Sequence, residues 1–191
     1  LADLCGAPVL SRVITRTKKC ADLDQVVVAT STKPGDDAVE DIARAHGVMC
    51  VRGSEDDVLS RYVLAAEASQ ADVVIRITAD CPLVDPGVIS KVIAALRPSV
   101  DFASNSLERT YPRGLDAEAM HIDVLHRVHR MAHTPNAREH VTYHIYAEAR
   151  SQYAIASVKE RTDHSAWNWC VDEPADIELL RKIVGVCGPD A

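Results

Sequence analysis

Short apolar runs alternate with longer amphipathic ones almost to the end of the chain. The short runs predict strands over 25–30, 48–51, 73–78, 102–105, 118–122, 153–158 and 167–171. Two of them contain Val26-Val27-Val28 and Val73-Val74-Ile75, β-branched and unbroken, as suits strands covered by helices on both faces. Pro8 opens a helix that runs towards Cys20, with Val9, Leu10, Val13 and Ile14 on one face. A second helix spans 36–46, with Asp36 or Asp37 as its cap and Gly47 as its stop. A third, 56–69, carries Val58, Leu59, Tyr62, Val63 and Ala66 at helical spacing, and Pro86 and Pro174 open helices over 87–96 and 175–186. This βαβα order predicts an α/β fold: a mostly parallel sheet between two layers of helices. From about Leu107 to Arg150 the pattern turns more polar and richer in His, Arg and Tyr. That stretch reads as an excursion from the sheet, a lid or a dimer arm, within one domain covering 1–191.

Composition narrows the partners. Of the 191 residues 47% are apolar and 26% charged, the profile of a soluble globular protein. The net charge of −7, from 21 Lys and Arg against 28 Asp and Glu, argues against nucleic acid and against an anionic membrane surface. An anionic substrate would need a local basic pocket. No run of about 18 apolar residues occurs, so no transmembrane helix is expected. The six cysteines at 5, 20, 50, 81, 170 and 187 are widely spaced and form no C-x-x-C, which reads as reduced thiols in a cytoplasmic protein.

In an open α/β sheet ligands bind beyond the carboxyl ends of the strands, so the residues after each strand matter most. Asp80 follows the 73–78 run and lies too early to cap the helix at Pro86; it is a candidate functional carboxylate. Asp85, directly before that proline, reads as an ordinary cap. Asp172 follows the 167–171 run and either caps the last helix or meets Asp80 across the sheet top, where two carboxylates would suit Mg²⁺. The turn after 48–51, Gly53-Ser54, could hold a nucleotide sugar edge or simply precede a capped helix. Neither G-x-x-x-x-G-K-[ST] nor G-x-G-x-x-G is present. Two Arg clusters, Arg109 with Arg113 and Arg138 with His140, suit a carboxylate or phosphate, or else a solvated face of internal ion pairs. His126, His129 and His133 share a helix face, but a solvated face explains them better than zinc.

Several segments in order carry a resemblance. These are Val26 to Ser31 with Asp36-Asp37; Arg52 to Tyr62; Arg76 to Leu83; Thr110 to Asp116; Arg138 to Thr142; and Val171 to Asp176. Together the chain resembles the sugar-acid cytidylyltransferases, in particular their SpsF-type spore-coat polysaccharide branch, over nearly its whole length. The resemblance implies a Rossmann-like nucleotide-diphospho-sugar transferase fold that transfers CMP from CTP to a sugar acid and releases pyrophosphate. It implies Asp80 and Asp172 as Mg²⁺ ligands, with Arg52, Gly53, Arg61 and Asp80 on the nucleotide side. It also implies Asn105, Tyr111, Arg113, Asp116, Glu118, Arg138, Glu139 and His140 on the sugar-acid side, and a homodimer.

One departure bears on activity. Family members begin with a strand and a basic, glycine-bearing loop resembling Q-A-R-x-x-S-x-R-L-P-G-K, which wraps the triphosphate. Leu1 to Leu10 matches the segment downstream of it, and Ala7 stands where Lys is common. The strand would be central in the sheet and the loop would supply the main triphosphate donors, so the 191 residues alone are expected to show little or no activity. Two other readings stay open: a glycosyltransferase using a nucleotide sugar on the same fold, and a non-catalytic module that binds a sugar or a partner.

Overall fold

The computed structural model describes residues 2–188. Helix α1 (Val9–Thr17) precedes β1 (Val27–Ser31), α2 (Asp37–Ala45), β2 (Met49–Gly53), α3 (Val58–Ala68), β3 (Val73–Arg76) and α4 (Pro86–Ala95). Then come β4 (Phe102–Ser104), β5 (Glu118–His121), α5 (Ile122–Met131), α6 (Pro135–Glu139), β6 (Ile155–Ser157) and α7 (Pro174–Cys187). The strands form two sheets, β1-β2 in parallel and β3-β5-β4-β6. Within the larger sheet β4 and β6 are parallel, while β5 runs against both β3 and β4. The 107–150 stretch therefore leaves the sheet in two pieces, with β5 returning between them.

Alternation along the strands builds the layers. Phe102 on β4 and its register partner Met120 on β5 point to one face, where Leu59 and Val63 of α3 and Val124, Leu125 and Val128 of α5 bury them. Ala103 and Ala119 point to the other face, against Val13 of α1 and Ile89 and Val92 of α4. The small alanines let these helices approach closely. Helix α7 packs Ile177, Leu180 and Val184 on Leu4 and Val9, which fixes the chain's start against its end.

β1 and β3 are end strands of separate sheets, and a cleft of about 690 Å³ lies between them. Val13, Ile14, Val26, Val28, Val74 and Ile75 help to line it.

Local grammar holds in most places. Asp85 Oδ1 accepts from Val88 N at 2.9 Å and caps α4, as expected. Gly47 ends α2 at φ +62°, a conformation that favours glycine. Two expectations fail. Asp36 does not cap α2: its Oδ2 turns back to accept from Thr30 Oγ1 and Ser31 N, closing the end of β1. Those donors hold its carboxyl below the usual range. Residues 167–171 are not a strand either, because they pair with the Arg113 loop instead of the sheet. Arg113 N donates to Trp167 O at 3.0 Å, and Trp169 N donates to Arg113 O at 2.8 Å.

Candidate active site

That pairing builds the site. Gly114 lies at φ +97°, and a Cβ there would fall 2.6 Å from the carbonyl carbon of Trp169, so only glycine permits this approach. The Trp169 loop in turn lies beside the turn after β3, since Val171 N donates to Asp80 O at 2.9 Å. Backbone bonds thus tie three loops that are remote in sequence and carry Asp80, Arg113 and Asp172. Asp172 is 52% exposed and faces the guanidinium of Arg113, itself 58% exposed, at 3.9 Å. The carboxylate of Asp172 is not needed as a helix cap. Glu173 caps α7 through a capping box with Asp176, whose Oδ2 also accepts from Asp172 N.

Beneath Asp80 lie two thiols that spacing gave no means of pairing. Cys81 and Cys170, 89 residues apart, bring their sulfurs to 3.7 Å and are both buried. Cys81 Sγ is 3.4 Å from Asp80 Oδ1 and 3.1 Å from Thr78 Oγ1. The hydrogen bond to Cys170, burial and the Asp80 charge all push the Cys81 thiol up. Among the described residues Asp80, Cys81 and Cys170 form a cluster whose donor atoms all lie within 4.8 Å of one another, and Asp172 is outside it. His126, His129 and His133 join no such cluster; His126 sits 3.5 Å from Glu67.

The other residues singled out from the sequence fall into separate groups. Glu118 on β5 is buried, accepts from Arg76 Nη1 at 2.9 Å, and takes Thr142 Oγ1 at 3.0 Å. Burial works against the Arg76 charge, but Glu118 outweighs it and holds the guanidinium above its ordinary range. Asp116 is gripped by both terminal nitrogens of Arg109, at 2.6 and 3.0 Å. Arg138 binds Asp57, the cap of α3, and the carbonyl of His129. Burial would raise the Asp57 carboxyl, yet Arg138 and Ser60 N–H keep it below the usual range. Buried Asn105 donates to Leu115 O and accepts from Ala117 N, so it shapes the loop before β5. Tyr111 is buried, with its hydroxyl near Lys91 and Glu160. Glu139 and His140 are exposed at the end of α6.

On the β1-β2 side, Arg52 is engaged by four partners within the chain. It donates to Asp37, Glu40, Ser31 O and Lys33 O, fixing the turn between β1 and α2. Arg61 donates to the carbonyls of Ser54 and Glu55, and its Cγ would meet a Cβ at Gly53 at 2.8 Å. Of the arginines expected to face a sugar acid, Arg113 stands beside the Asp80–Asp172 loops, whereas Arg138 lies against α3.

A sequence profile of the cytidylyltransferases matches residues 1–184. The chain belongs to the cytidylyltransferase family. It is 35% identical over 147 residues to the uncharacterized protein MJ1063 of Methanocaldococcus jannaschii, covering 76% of this chain and 58% of that one. It is 31% identical over 173 residues to the spore coat polysaccharide biosynthesis protein SpsF of Bacillus subtilis, covering 87% and 70%. A 3-deoxy-manno-octulosonate cytidylyltransferase of Anaeromyxobacter dehalogenans is 30% identical over 165 residues, covering 78% and 66%. The matches thus span 58 to 70% of the length of these relatives. In structure the chain superimposes on a cytidylyltransferase from Leptospira borgpetersenii with a TM-score of 0.93 at 26% identity, over 99% of this chain and 81% of the other. No helix among the described residues is long and apolar enough to cross a membrane.

Proposed function

We propose that this cytidylyltransferase-family chain carries the metal and acceptor side of a site that transfers CMP from CTP to a sugar acid. The anomeric hydroxyl of the acid would attack the α-phosphate, and pyrophosphate would leave with the electron pair of the broken P–O bond. One observation carries the reading: the backbone lock between the Asp80 and Asp172 loops, with Arg113 lying over Asp172. The name of the 3-deoxy-manno-octulosonate cytidylyltransferase relative supplies the substrate class, and that of the SpsF relative points to polysaccharide biosynthesis.

The donor set fits Mg²⁺, a hard ion that keeps several waters and takes one or two carboxylates together with substrate phosphates. Asp80 and Asp172 are partly or well exposed oxygen donors on adjoining loops, and they would hold it. When bound, the ion neutralises phosphate charge and sharpens the acceptor hydroxyl as a nucleophile. Arg113, loosely paired and exposed, is the side chain that can turn to the acceptor's carboxylate, where a planar fork gives orientation as well as charge. Orientation and fixed charge then provide the rate enhancement, with no covalent intermediate on the protein.

Thermal unfolding with a nucleotide panel tests this. CTP with Mg²⁺ should raise Tm, UDP-sugars should not, and Asp80→Asn or Asp172→Asn should abolish the CTP shift without lowering the ligand-free Tm. Stabilisation by UDP-sugars alone would favour the glycosyltransferase reading. Pyrophosphate release with CTP and a panel of 2-keto sugar acids then identifies the acceptor.

A further inference from the structure

We propose that Asp80, Cys81 and Cys170 form a binding site for one soft divalent cation, zinc above all, with two thiolates, one carboxylate oxygen and a fourth position open to water. The distances match the ion. Zinc sits about 2.3 Å from thiolate sulfur and about 2.0–2.2 Å from a carboxylate oxygen in tetrahedral geometry. A tetrahedral angle then sets two sulfurs about 3.8 Å apart, and a sulfur and an oxygen about 3.5 Å apart. Cys81 Sγ lies 3.7 Å from Cys170 Sγ and 3.4 Å from Asp80 Oδ1. Two of the three separations already match one ion, and the third, between Asp80 and Cys170, lies within 4.8 Å.

The frame around them is rigid at the right points. Val171 N–H on Asp80 O locks the two ligand-bearing loops together. Cys170 N donates to Asn168 Oδ1 at 3.2 Å, and Thr78 Oγ1 contacts the Cys81 sulfur as an outer partner. Outer contacts of this kind orient metal ligands. Cys81 is 1% and Cys170 6% exposed, whereas Asp80 reaches solvent and provides the entry side. Binding would release the two thiol protons to water and leave a singly negative centre of two thiolates, one carboxylate and Zn²⁺. Thiolates discriminate against Mg²⁺, which prefers oxygen, so the site is chemically distinct from the proposed triphosphate metal although both use Asp80. The proposal needs no nucleotide and stands or falls apart from the proposed function.

Co²⁺ titration of the reduced chain is the direct test, followed by Zn²⁺ displacement. The expected result is one equivalent of Co²⁺ with thiolate-to-cobalt charge transfer and the intense visible bands of tetrahedral cobalt, abolished by one equivalent of Zn²⁺ and unaffected by excess Mg²⁺. Cys81→Ser and Cys170→Ser should each lose the charge-transfer band of the pair, and Asp80→Asn should weaken binding at least about tenfold, the scale seen even for lost outer-sphere partners. A Cys5→Ser/Cys187→Ser variant, which changes two exposed thiols, should bind as before. Alkylation mapping of the unmutated chain needs no variant to fold: Zn²⁺ should protect Cys81 and Cys170 from iodoacetamide, and Mg²⁺ should not. Octahedral cobalt bands, a spectrum that survives loss of both cysteines, or equal protection by both ions would overturn the proposal.

Discussion

Of the places where this molecule sets a carboxylate against a guanidinium, two are built in opposite ways. On β5, Glu118 holds Arg76 at 2.9 Å with side chains 8% and 21% exposed, and Thr142 satisfies a second contact. At the loops beyond the strands, Asp172 faces Arg113 at 3.9 Å with both side chains more than half exposed. The first pair has closed on itself inside the fold. The second is positioned by backbone bonds from Trp169 and Val171, which leaves the charged ends only loosely paired with each other. A buried charge must be partnered, and Glu118, which takes both Arg76 and Thr142, has little capacity left for a ligand. The contrast separates side chains that hold the fold from side chains that can serve chemistry, even though the family resemblance places Glu118 and Arg113 on the same sugar-acid side.

Neutralising Glu118 should have the largest effect on stability. Glu118→Gln leaves the Arg76 charge buried without a counterion, and stability should fall by about 2–3 kcal/mol, because removing one partner of a fully buried pair costs about 3–5 and Arg76 keeps some water. Urea unfolding at neutral pH measures it. A loss under about 0.5 kcal/mol, the range of ordinary surface changes, would make Glu118 a ligand-facing group and dissolve the contrast.

The loop region should break at Gly114 more gently. Gly114→Ala puts a Cβ 2.6 Å from the Trp169 backbone at φ +97°, so the Arg113 and Trp169 loops must part. The expected cost is about 1–3 kcal/mol, the range for a strained backbone position. Chemical unfolding gives the loss, and a shift in tryptophan emission reports the movement of Trp169. An unchanged emission and Tm would mean that the three-loop lock tolerates separation.

What the sequence reveals follows from how local each cause is. Helix α3 and the Asp85 cap of α4 are written in a few neighbouring residues, and both emerge within a residue or two of expectation. Asp80 and Asp172 are legible as strand-end carboxylates because strands and the residues after them can be read in order. The seat of β5 between β3 and β4 is not legible, since strand order is decided by long-range packing of Phe102 and Met120 against α3 and α5. Trp167 to Val171 looks like a strand by its apolar content, yet Gly114 offers it a closer backbone partner than the sheet does. Cys81 and Cys170 resemble any small buried hydrophobes until the fold joins residues 89 positions apart. Arg52 and Arg138 have the right chemistry for an anion, but Asp37, Glu40 and Asp57 reach them first.

A third ion pair sharpens the comparison from its weak end. Glu160 accepts from Lys91 Nζ at 2.9 Å with the pair about half exposed, and the Lys91 ammonium with the Arg161 N–H holds its carboxyl down at about 2, against an ordinary 4.5. A carboxyl depressed in the folded state contributes stability that is complete above its unfolded pKa and disappears as pH falls through the folded one. The Glu160 contribution is therefore full above about pH 4.5 and fades between there and pH 2. Lys91 mirrors it: Glu160 and Tyr111 raise its ammonium above 10.5, so its contribution is complete below that value and is lost as pH climbs through the raised one. Stability curves of the unmutated chain and Glu160→Gln should run parallel near neutrality, separated by a small, salt-sensitive gap of the kind exposed pairs show, and converge as pH drops from 4.5 towards 2. Curves that stay parallel to pH 2 would show that Glu160 titrates alike in the folded and unfolded chain and that its pairing with Lys91 adds nothing to stability.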